Sequence, residues 1–434
     1  MTKQFFGIVL TTLVAIQVIG QPAKVSDKAN KLAAGIEAKM IEWRHDFHEN
    51  PELSNREFKT AVKIAAHLKS LGFEVQTGVA KTGVVAILKG GKPGPVIGLR
   101  ADIDALPVTE RVDLEWKSKA TSNYNGIETG VMHACGHDTH ISILMATAEV
   151  LSQMKSDLKG TVKFVFQPAE EGPPPGEEGG AKLMVKEGVM KNPDIDVMIG
   201  LHINAQTTVG TVSYKPGGTM AAADRWVMKI KGKQSHGSTP WSSIDPVVTA
   251  GQIITGMQTV ISRNTELTKE AAVLSVGLIR GGVRNNIIPE EVEMIGTIRT
   301  LDPDMQKKLH ADFHRVAKNI GEAMGAEVEL EIESHVPVTY NDPELTATLV
   351  PFISKAIGGD NVSLRKAMTG AEDFSFYANE VPAFFFFVGG CPADKDPANA
   401  APHHTPDFYV DDSGMLLGMK TMTALTLDYL HKSR

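Results

Sequence analysis

The stretch that decides the fold of this 434-residue chain is Thr161-Val162-Lys163-Phe164-Val165-Phe166-Gln167, followed at once by Pro168-Ala169-Glu170-Glu171-Gly172. A short run of apolar, β-branched and aromatic residues is typical of a strand in the interior of a sheet. An acidic pair is ordinarily part of a solvated loop. Because this pair comes directly after a buried strand, we expect Glu170 and Glu171 to have a functional role.

Polar residues also lie at the ends of two further predicted strands. The run from Pro95 to Arg100 is followed by Asp102 and Asp104, and the run from Asp196 to Leu201 ends on His202. Helical patterns lie between these strands, so the sequence predicts an α/β fold with a mostly parallel, mixed sheet covered on both faces. Sites in such sheets form beyond the carboxyl ends of the strands, which would bring these side chains to one edge.

The pattern changes between residues 214 and 334. Here the sequence predicts the order β-α-β-β-α-β, with elements at 225–231, 245–262, 273–279, 291–300, 303–324 and 327–333. This is the order of a self-contained, ferredoxin-like split βαβ unit. The chain length also favours two domains. We therefore predict a discontinuous metal-binding catalytic domain of residues 24–213 and 335–434, interrupted by an inserted domain at 214–334.

The composition excludes several classes of protein. A hydrophobic content of 42% and a charged content of 22% are typical of a globular protein, and the net charge of −7 argues against a nucleic-acid partner. Two cysteines, Cys135 and Cys391, are too few for a disulfide scaffold. A single bond between them would consume the thiol that is a candidate metal ligand.

The first twenty residues have the pattern of a targeting segment. Lys3 precedes an apolar run from Phe5 to Ile19, and a polar segment begins after Gly20. This predicts a cleaved signal peptide at residues 1–20 and a secreted or periplasmic protein. The alternative is an uncleaved anchor, for which the apolar run is short.

A thiol, three imidazoles and a carboxylate occur together in the stretch His133-Ala134-Cys135-Gly136-His137-Asp138-Thr139-His140. Thiolate and imidazole are ligands of zinc, nickel, cobalt and manganese. The apolar run that follows predicts a helix, which places Cys135 and His137 at its N-terminus. The helix dipole there is expected to lower the pKa of the thiol.

The candidate ligands exceed the needs of one metal ion. They are Cys135, His137, Glu171, His202 and one of His403 or His404. Five protein ligands are too many for one tetrahedral zinc, but they suit a pair of divalent ions (Zn, Mn, Ni or Co) that share a bridging group and a water. Cys135 is the candidate bridge. Glu170, beside the ligand Glu171, is then placed to act as a general base toward that water.

Several ordered motifs resemble the amidohydrolase branch of the zinc-dependent aminoacylase/carboxypeptidase family, which includes hippurate hydrolases and indoleacetyl-amino-acid hydrolases. The motifs are Leu99 to Pro107, His133 to His140, Gln167 to Gly172, Leu201-His202 and His404-Thr405-Pro406. The resemblance, which runs from about Trp43 to the C-terminus, implies metal ligands at Cys135, His137, Glu171, His202 and His404. It also implies Glu170 as the base and Asp104 as a carboxylate supporting the ligands. His404 is chosen over His403 only because of the family's His-Ser/Thr-Pro pattern.

The insert is similar to the family's lid or dimerisation domain. Ser235-His236-Gly237 looks like the lid histidine that polarises the scissile carbonyl, and Asn286 resembles a substrate-binding asparagine. The resemblance also allows a homodimer formed through the insert. The branch commonly has a second histidine where this chain has Trp241, which bears on substrate preference.

The resemblance implies an enzyme that cleaves the amide bond of N-acyl amino acids by means of a metal-bridged water. An alternative within the same fold is a dipeptidase or N-acetyl-diaminopimelate deacetylase. A further alternative, from a different class, is a protein that only binds amino-acid derivatives. The full set of ligands together with Glu170 argues against this last interpretation.

Overall fold

The computed structural model describes residues 23–432. The predicted signal peptide, residues 1–20, lies outside the described residues. Within the described range, no helix combines the length and the apolar character needed to cross a bilayer.

In residues 23–432, helices alternate with groups of strands along the chain. They are α1 Ala23–Glu49, α2 Phe58–Ser70, α3 His137–Ser152, α4 Gly180–Lys186, α5 Pro246–Thr259, α6 Pro303–Ala323, α7 Pro343–Ile357, α8 Ser375–Ala378 and α9 Ser413–Lys432. The strands are β1 Glu74–Val79, β2 Gly83–Lys89, β3 Lys92–Asp102, β4 Thr121–Tyr124, β5 Ile127–Gly130, β6 Lys159–Gln167, β7 Val197–Thr208, β8 Val212–Tyr214, β9 Gly217–Met220, β10 Ala222–Lys231, β11 Ser235–His236, β12 Ala272–Gly281, β13 Ile287–Ile288, β14 Glu291–Thr300, β15 Glu327–Val336, β16 Thr339–Asn341, β17 Val362–Leu364 and β18 Ala383–Cys391.

The large sheet has eight strands in the order β1-β2-β6-β3-β7-β18-β8-β17. Its four central strands, β6, β3, β7 and β18, are parallel neighbours, whereas β1, β2 and β8 each form an antiparallel pairing. This architecture confirms the predicted α/β class with a mostly parallel, mixed sheet.

Strand β18 shows why the sheet is covered on both faces. All nine of its residues are buried. Phe384 and Phe386 pack into the core with α1, α2, α3, α7 and α9, whereas Phe385 and Phe387 pack into the core with α4 and α8. Because successive side chains of a strand point to opposite faces, a strand buried on both sides has a continuous apolar sequence.

A second, four-stranded sheet has the order β12-β14-β10-β15, with all pairings antiparallel. Its strands and the helices α5 and α6 follow one another in the order β-α-β-β-α-β that the sequence predicts. Trp226 of β10 and Phe313 of α6 are fully buried in its core, with their ring centroids 5.2 Å apart. The short strands β9 and β16 pair where the chain enters and leaves this part of the fold.

The structure differs from the sequence predictions mainly at the ends of elements and in short strands. The strand expected to end on His202 continues to Thr208, because β18 pairs with β7 through Phe387 opposite His202 and on to Gly389 opposite Asn204. Short strands such as β8 and β17 were not predicted. Strands of three residues depend on partners far away in the chain rather than on local propensity.

Candidate metal centre

The four central parallel strands bring the candidate residues to one edge of the sheet. Asp102 at the end of β3 lies opposite Gln167 at the end of β6, and His202 of β7 lies opposite Phe387 of β18. Glu170 and Glu171 follow β6 directly. The carboxyl edge of the sheet is therefore where these groups meet, as the sequence predicts.

Cys135 is held in the turn before α3, which begins at His137. Gly136, the residue that caps this helix, has a φ of 91°, and a Cβ atom there would overlap Cγ2 of Ile203. A left-handed φ and a close approach both require glycine at this position. The turn thereby places the thiol against β7.

The sulfur of Cys135 lies at the centre of the site. Its distance is 3.3 Å to Nε2 of His202 and 3.3 Å to Nε2 of His404. Nε2 of His404 is in turn 3.0 Å from Oε1 of Glu171. Cys135 belongs to two compact donor groups, one with Glu171 and His404 and the other with His202 and His403. A thiolate common to two groups is suited to bridge two ions.

His137 directs one ring nitrogen into the same space. Its Nδ1 is 2.9 Å from the backbone oxygen and 3.2 Å from Oδ1 of Asp104. This arrangement makes Nδ1 the protonated nitrogen. The buried Nε2 has no hydrogen-bond partner in the described part of the chain, and it lies 3.9 Å from carboxylate oxygens of both Glu170 and Glu171. A buried imidazole nitrogen that has no hydrogen-bond partner and lies beside carboxylates fits a divalent cation.

The two adjacent histidines differ in how their ring nitrogens are used. Nε2 of His403 accepts a hydrogen bond from the amide of Ala205, and Nδ1 lies 3.2 Å from the backbone oxygen of Cys135. Both nitrogens of His403 therefore have partners in the backbone, although Nδ1 is also 3.7 Å from the sulfur of Cys135, whereas His404 directs Nε2 toward Cys135 and Glu171. The geometry favours His404 as the ligand. His404 has a φ of 64°, a strained conformation of the kind that clusters at functional sites.

The prediction that the helix dipole lowers the pKa of the Cys135 thiol is wrong, because the groups around the thiol have the opposite effect. Burial, together with the carboxylates of Glu171 and Glu170, raises the pKa of Cys135 well above its ordinary value. Burial and the nearby carboxylates, first among them Glu372, likewise raise the pKa of Glu170 well above the ordinary range. A divalent cation would balance the negative charge of a buried thiolate and of the carboxylates around it.

The sequence did not predict a role for three buried residues near Glu170, namely Arg100, Glu372 and Asp373. Arg100 is fully buried and donates hydrogen bonds to Asp102 at 2.8 Å, to Glu372 at 2.8 Å and to Asp373 at 3.1 Å. Glu372 and Asp373 also form a compact group with Glu170. Their signal in the sequence was a second acidic pair, but it follows an exposed segment rather than an apolar strand.

The structure does not bring His236 and Asn286 to this group of ligands. His236 lies on β11 and Asn286 directly precedes the paired strand β13, where the amide of Gly237 donates to the backbone oxygen of Asn286 at 2.8 Å. His236 is exposed, and its Nδ1 is 2.7 Å from Oγ of Ser238. Neither His236 nor Asn286 is among the described residues that line the cavity beside Cys135. Their predicted roles stay predictions.

A cavity of about 380 Å³ opens beside the ligand group. Glu170 and His202 lie on its polar side, and Met220, Met368 and Phe387 supply an apolar side. A small pocket with an apolar wall and convergent polar groups is typical of a small-molecule site. Its volume suits a small molecule.

Comparison with known proteins agrees with this geometry. Residues 98–428 match peptidase family M20/M25/M40. The chain is 36% identical to N-acetylcysteine deacetylase of Bacillus subtilis over 90% of this chain and 96% of that protein. It is also 36% identical to thermostable carboxypeptidase 2 of Saccharolobus solfataricus, over 92% and 97% of the two chains. The crystal structure of Bacillus subtilis YxeP, a dinuclear metal-binding peptidase of the M20 family, superposes with a TM-score of 0.76 at 33% identity, covering 92% of this chain and 99% of that one.

Proposed function

The chain belongs to peptidase family M20/M25/M40 and is a hydrolase of amide or peptide bonds, and on that premise we propose that it cleaves the amide bond of N-acyl amino acids. The observation that carries the proposal is the position of Cys135 between His202 on one side and Glu171 with His404 on the other, with Glu170 at the same cavity. The relationship to a deacetylase of an N-acetyl amino acid supports this substrate class.

The proposed ligands of two divalent ions (zinc, manganese, nickel or cobalt) are Cys135, His137, Glu171, His202 and His404. Such ions, when bound, polarise a carbonyl oxygen and lower the pKa of water to about 7. The free Nε2 of His137 and the acid-surrounded thiol of Cys135 support this assignment.

Glu170 is the proposed general base. Burial and the neighbouring acids raise the pKa of Glu170, which increases the affinity of its carboxylate for a proton taken from the attacking water. It then donates that proton to the leaving amine. Asp104 has a positioning role, because it fixes the ring of His137 through Nδ1.

His236 and Asn286 are proposed to donate hydrogen bonds to the substrate from the inserted unit. They can do so only if this unit moves toward the cavity or if a second copy of the chain presents them. The edge strand β12 supports the second route, since Leu278 and Ile279 are exposed on it. We accordingly propose a homodimer that forms through the insert.

Activity against a panel of N-acetyl amino acids, N-benzoyl amino acids, dipeptides and N-acetyl-diaminopimelate tests the substrate class. Turnover of acylated amino acids in preference to dipeptides supports the proposal. The relationship to a carboxypeptidase makes peptide hydrolysis the second candidate function. Turnover of dipeptides alone would establish that alternative instead.

Glu170→Gln tests the role of the base. The variant should retain its metal content and lose roughly 10²–10⁴-fold in kcat. Glu178→Gln is the matched control, because Glu178 is exposed and pairs with Lys186 at the surface. Full activity in Glu170→Gln would refute the assignment.

We also propose that the protein is exported. The proposal rests on Lys3 and the apolar run from Phe5 to Ile19. N-terminal sequencing of the protein from its native host, together with fractionation, tests the proposal. An intact N-terminus in the cytoplasmic fraction would contradict it.

A further inference from the structure

Arg365 follows β17 and lies beside the cavity of the metal centre. Its backbone amide donates to the oxygen of Tyr214 at 2.9 Å, which fixes the start of the side chain. The guanidinium carbon lies 3.6 Å from the centroid of the Phe387 ring, and Nη2 lies 2.8 Å from Sδ of Met368. The stacking holds the planar group in one orientation.

Arg365 is half-buried, and its guanidinium forms no ion pair with a carboxylate in the described part of the chain. Its Nε and Nη1 atoms are buried and have no hydrogen-bond acceptor among residues 23–432. Burial lowers the pKa of Arg365 to about 10, and no nearby carboxylate offsets this effect. A thioether sulfur is only a weak acceptor for Nη2. Because burying an unpaired charge is costly, such an arginine is expected to have a partner that is not part of the chain.

The position of Arg365 indicates what that partner is. Phe387 and Met368, the two side chains that cover the guanidinium, both line the cavity that contains Cys135 and Glu170. The Phe387 ring is also 6.5 Å from that of His202. The guanidinium is therefore separated from the reacting centre by about one aromatic ring. Met368 is unbranched and can rotate away without a change in the backbone.

We propose that Arg365 binds a carboxylate of the substrate, with Met368 moving aside to expose the planar edge of the guanidinium. A guanidinium presents two parallel donors that match a carboxylate. This inference rests on the proposed function, because it assigns a residue for substrate recognition to the same cavity. The carboxylate belongs either to the amino-acid part of the substrate or to its acyl part.

Three substrates distinguish these two sources. N-acetyl-L-methionine carries the α-carboxylate, N-acetyl-L-methioninamide carries neither carboxylate, and N-succinyl-L-methioninamide carries a carboxylate only on its acyl group. We expect Arg365→Gln to lower kcat/KM roughly 10- to 100-fold for one carboxylate-bearing substrate and to leave that for N-acetyl-L-methioninamide unchanged. Arg365→Lys, which keeps the charge without the planar donors, should give an intermediate loss. Equal effects on all three substrates would overturn the inference.

Two controls separate recognition from folding. Lys366→Gln removes the same charge from the next, exposed residue and should alter no kcat/KM ratio. The melting temperature of Arg365→Gln should equal or exceed that of the parent protein, because an unpaired buried charge is removed. A purely structural role would lower the melting temperature and leave the preference for the carboxylate unchanged.

A binding measurement separates this inference from the proposed function. Calorimetry with Glu170→Gln protein tests binding of N-acetyl-L-methionine and N-succinyl-L-methioninamide without turnover. Weaker binding of either compound in the Glu170→Gln/Arg365→Gln double variant supports the inference even if the parent enzyme hydrolyses none of the substrates. The inference is overturned if the single and the double variant bind both compounds equally, or if neither compound binds to the Glu170→Gln protein. The proposed function, in contrast, depends on turnover alone.

Discussion

Oδ1 of Asp104 lies 3.2 Å from Nδ1 of His137, so the other nitrogen of the ring is the one directed toward Glu170 and Glu171. The second oxygen of Asp104 accepts hydrogen bonds from Oγ of Ser54 at 2.7 Å and from the amide of Glu171 at 3.1 Å. One buried carboxylate thereby orients two of the proposed ligands.

Asp104→Asn is expected to weaken metal affinity roughly 10- to 100-fold, because an amide neither fixes the ring of His137 nor raises its basicity as a carboxylate does. Competition with a chelator of known affinity measures the change. Ser54→Ala, which removes only one hydrogen bond from Asp104, should have a smaller effect. If Asp104→Asn binds metal as tightly as the parent, the positioning role is wrong.

His404→Gln and His403→Gln should differ in their metal content. Nε2 of His404 lies 3.3 Å from the sulfur of Cys135, whereas the nearest nitrogen of His403 is 3.7 Å from that sulfur and both of its ring nitrogens also contact backbone groups. We expect His404→Gln to lose one ion per chain and His403→Gln to retain both. Elemental analysis of the purified proteins decides between them, and the reverse result would exchange the two roles.

His48 should make stability depend on pH. Its Nδ1 is 2.9 Å from Asp138 and its Nε2 is 3.2 Å from Glu110. Burial opposes its positive charge, but the carboxylates of Asp138 and Glu110 outweigh burial and raise the pKa of His48 to about 8 from 6.5. The protonated form is thus favoured in the folded state. Its stabilisation is fully present below pH 6.5 and is lost as the pH rises through about 8.

The difference in pKa corresponds to about 2 kcal/mol of unfolding free energy. Urea denaturation at pH 6 and at pH 9 measures the change, and His48→Gln provides the reference in which this contribution is absent. The parent protein should lose more stability than the variant between the two pH values. An equal loss in both proteins would rule out the coupling.

Gly136→Ala should destabilise the turn that carries Cys135. A side chain at a φ of 91° is strained, and its Cβ would overlap Ile203. We expect a loss of about 2–4 kcal/mol in unfolding free energy. Gly35→Ala is the matched control, because Gly35 lies in α1 with open space around it and alanine there should stabilise by roughly 1 kcal/mol. Similar effects of the two substitutions would contradict this account of Gly136.

The sequence by itself determined the α/β class and the edge of the sheet where the site lies. Apolar runs such as Phe164 to Phe166 predict buried strands, and polar residues that follow several such runs must converge once the strands are parallel. It also determined the chemical types of the donors around Cys135, because thiolate, imidazole and carboxylate are recognisable without coordinates. These features are local, or they follow from the period of a strand.

Only the tertiary structure decided how individual ring nitrogens and guanidinium groups are used. His403 and His404 are adjacent in sequence, and their difference arises from the backbone of Ala205 and the sulfur of Cys135, which lie on other elements. Arg365 gave no signal in the sequence, since the absence of an acceptor is a property of its packing against Phe387 and Met368. Hydrogen-bond partners and burial are set by contacts between residues distant in the chain, and a linear pattern does not encode them.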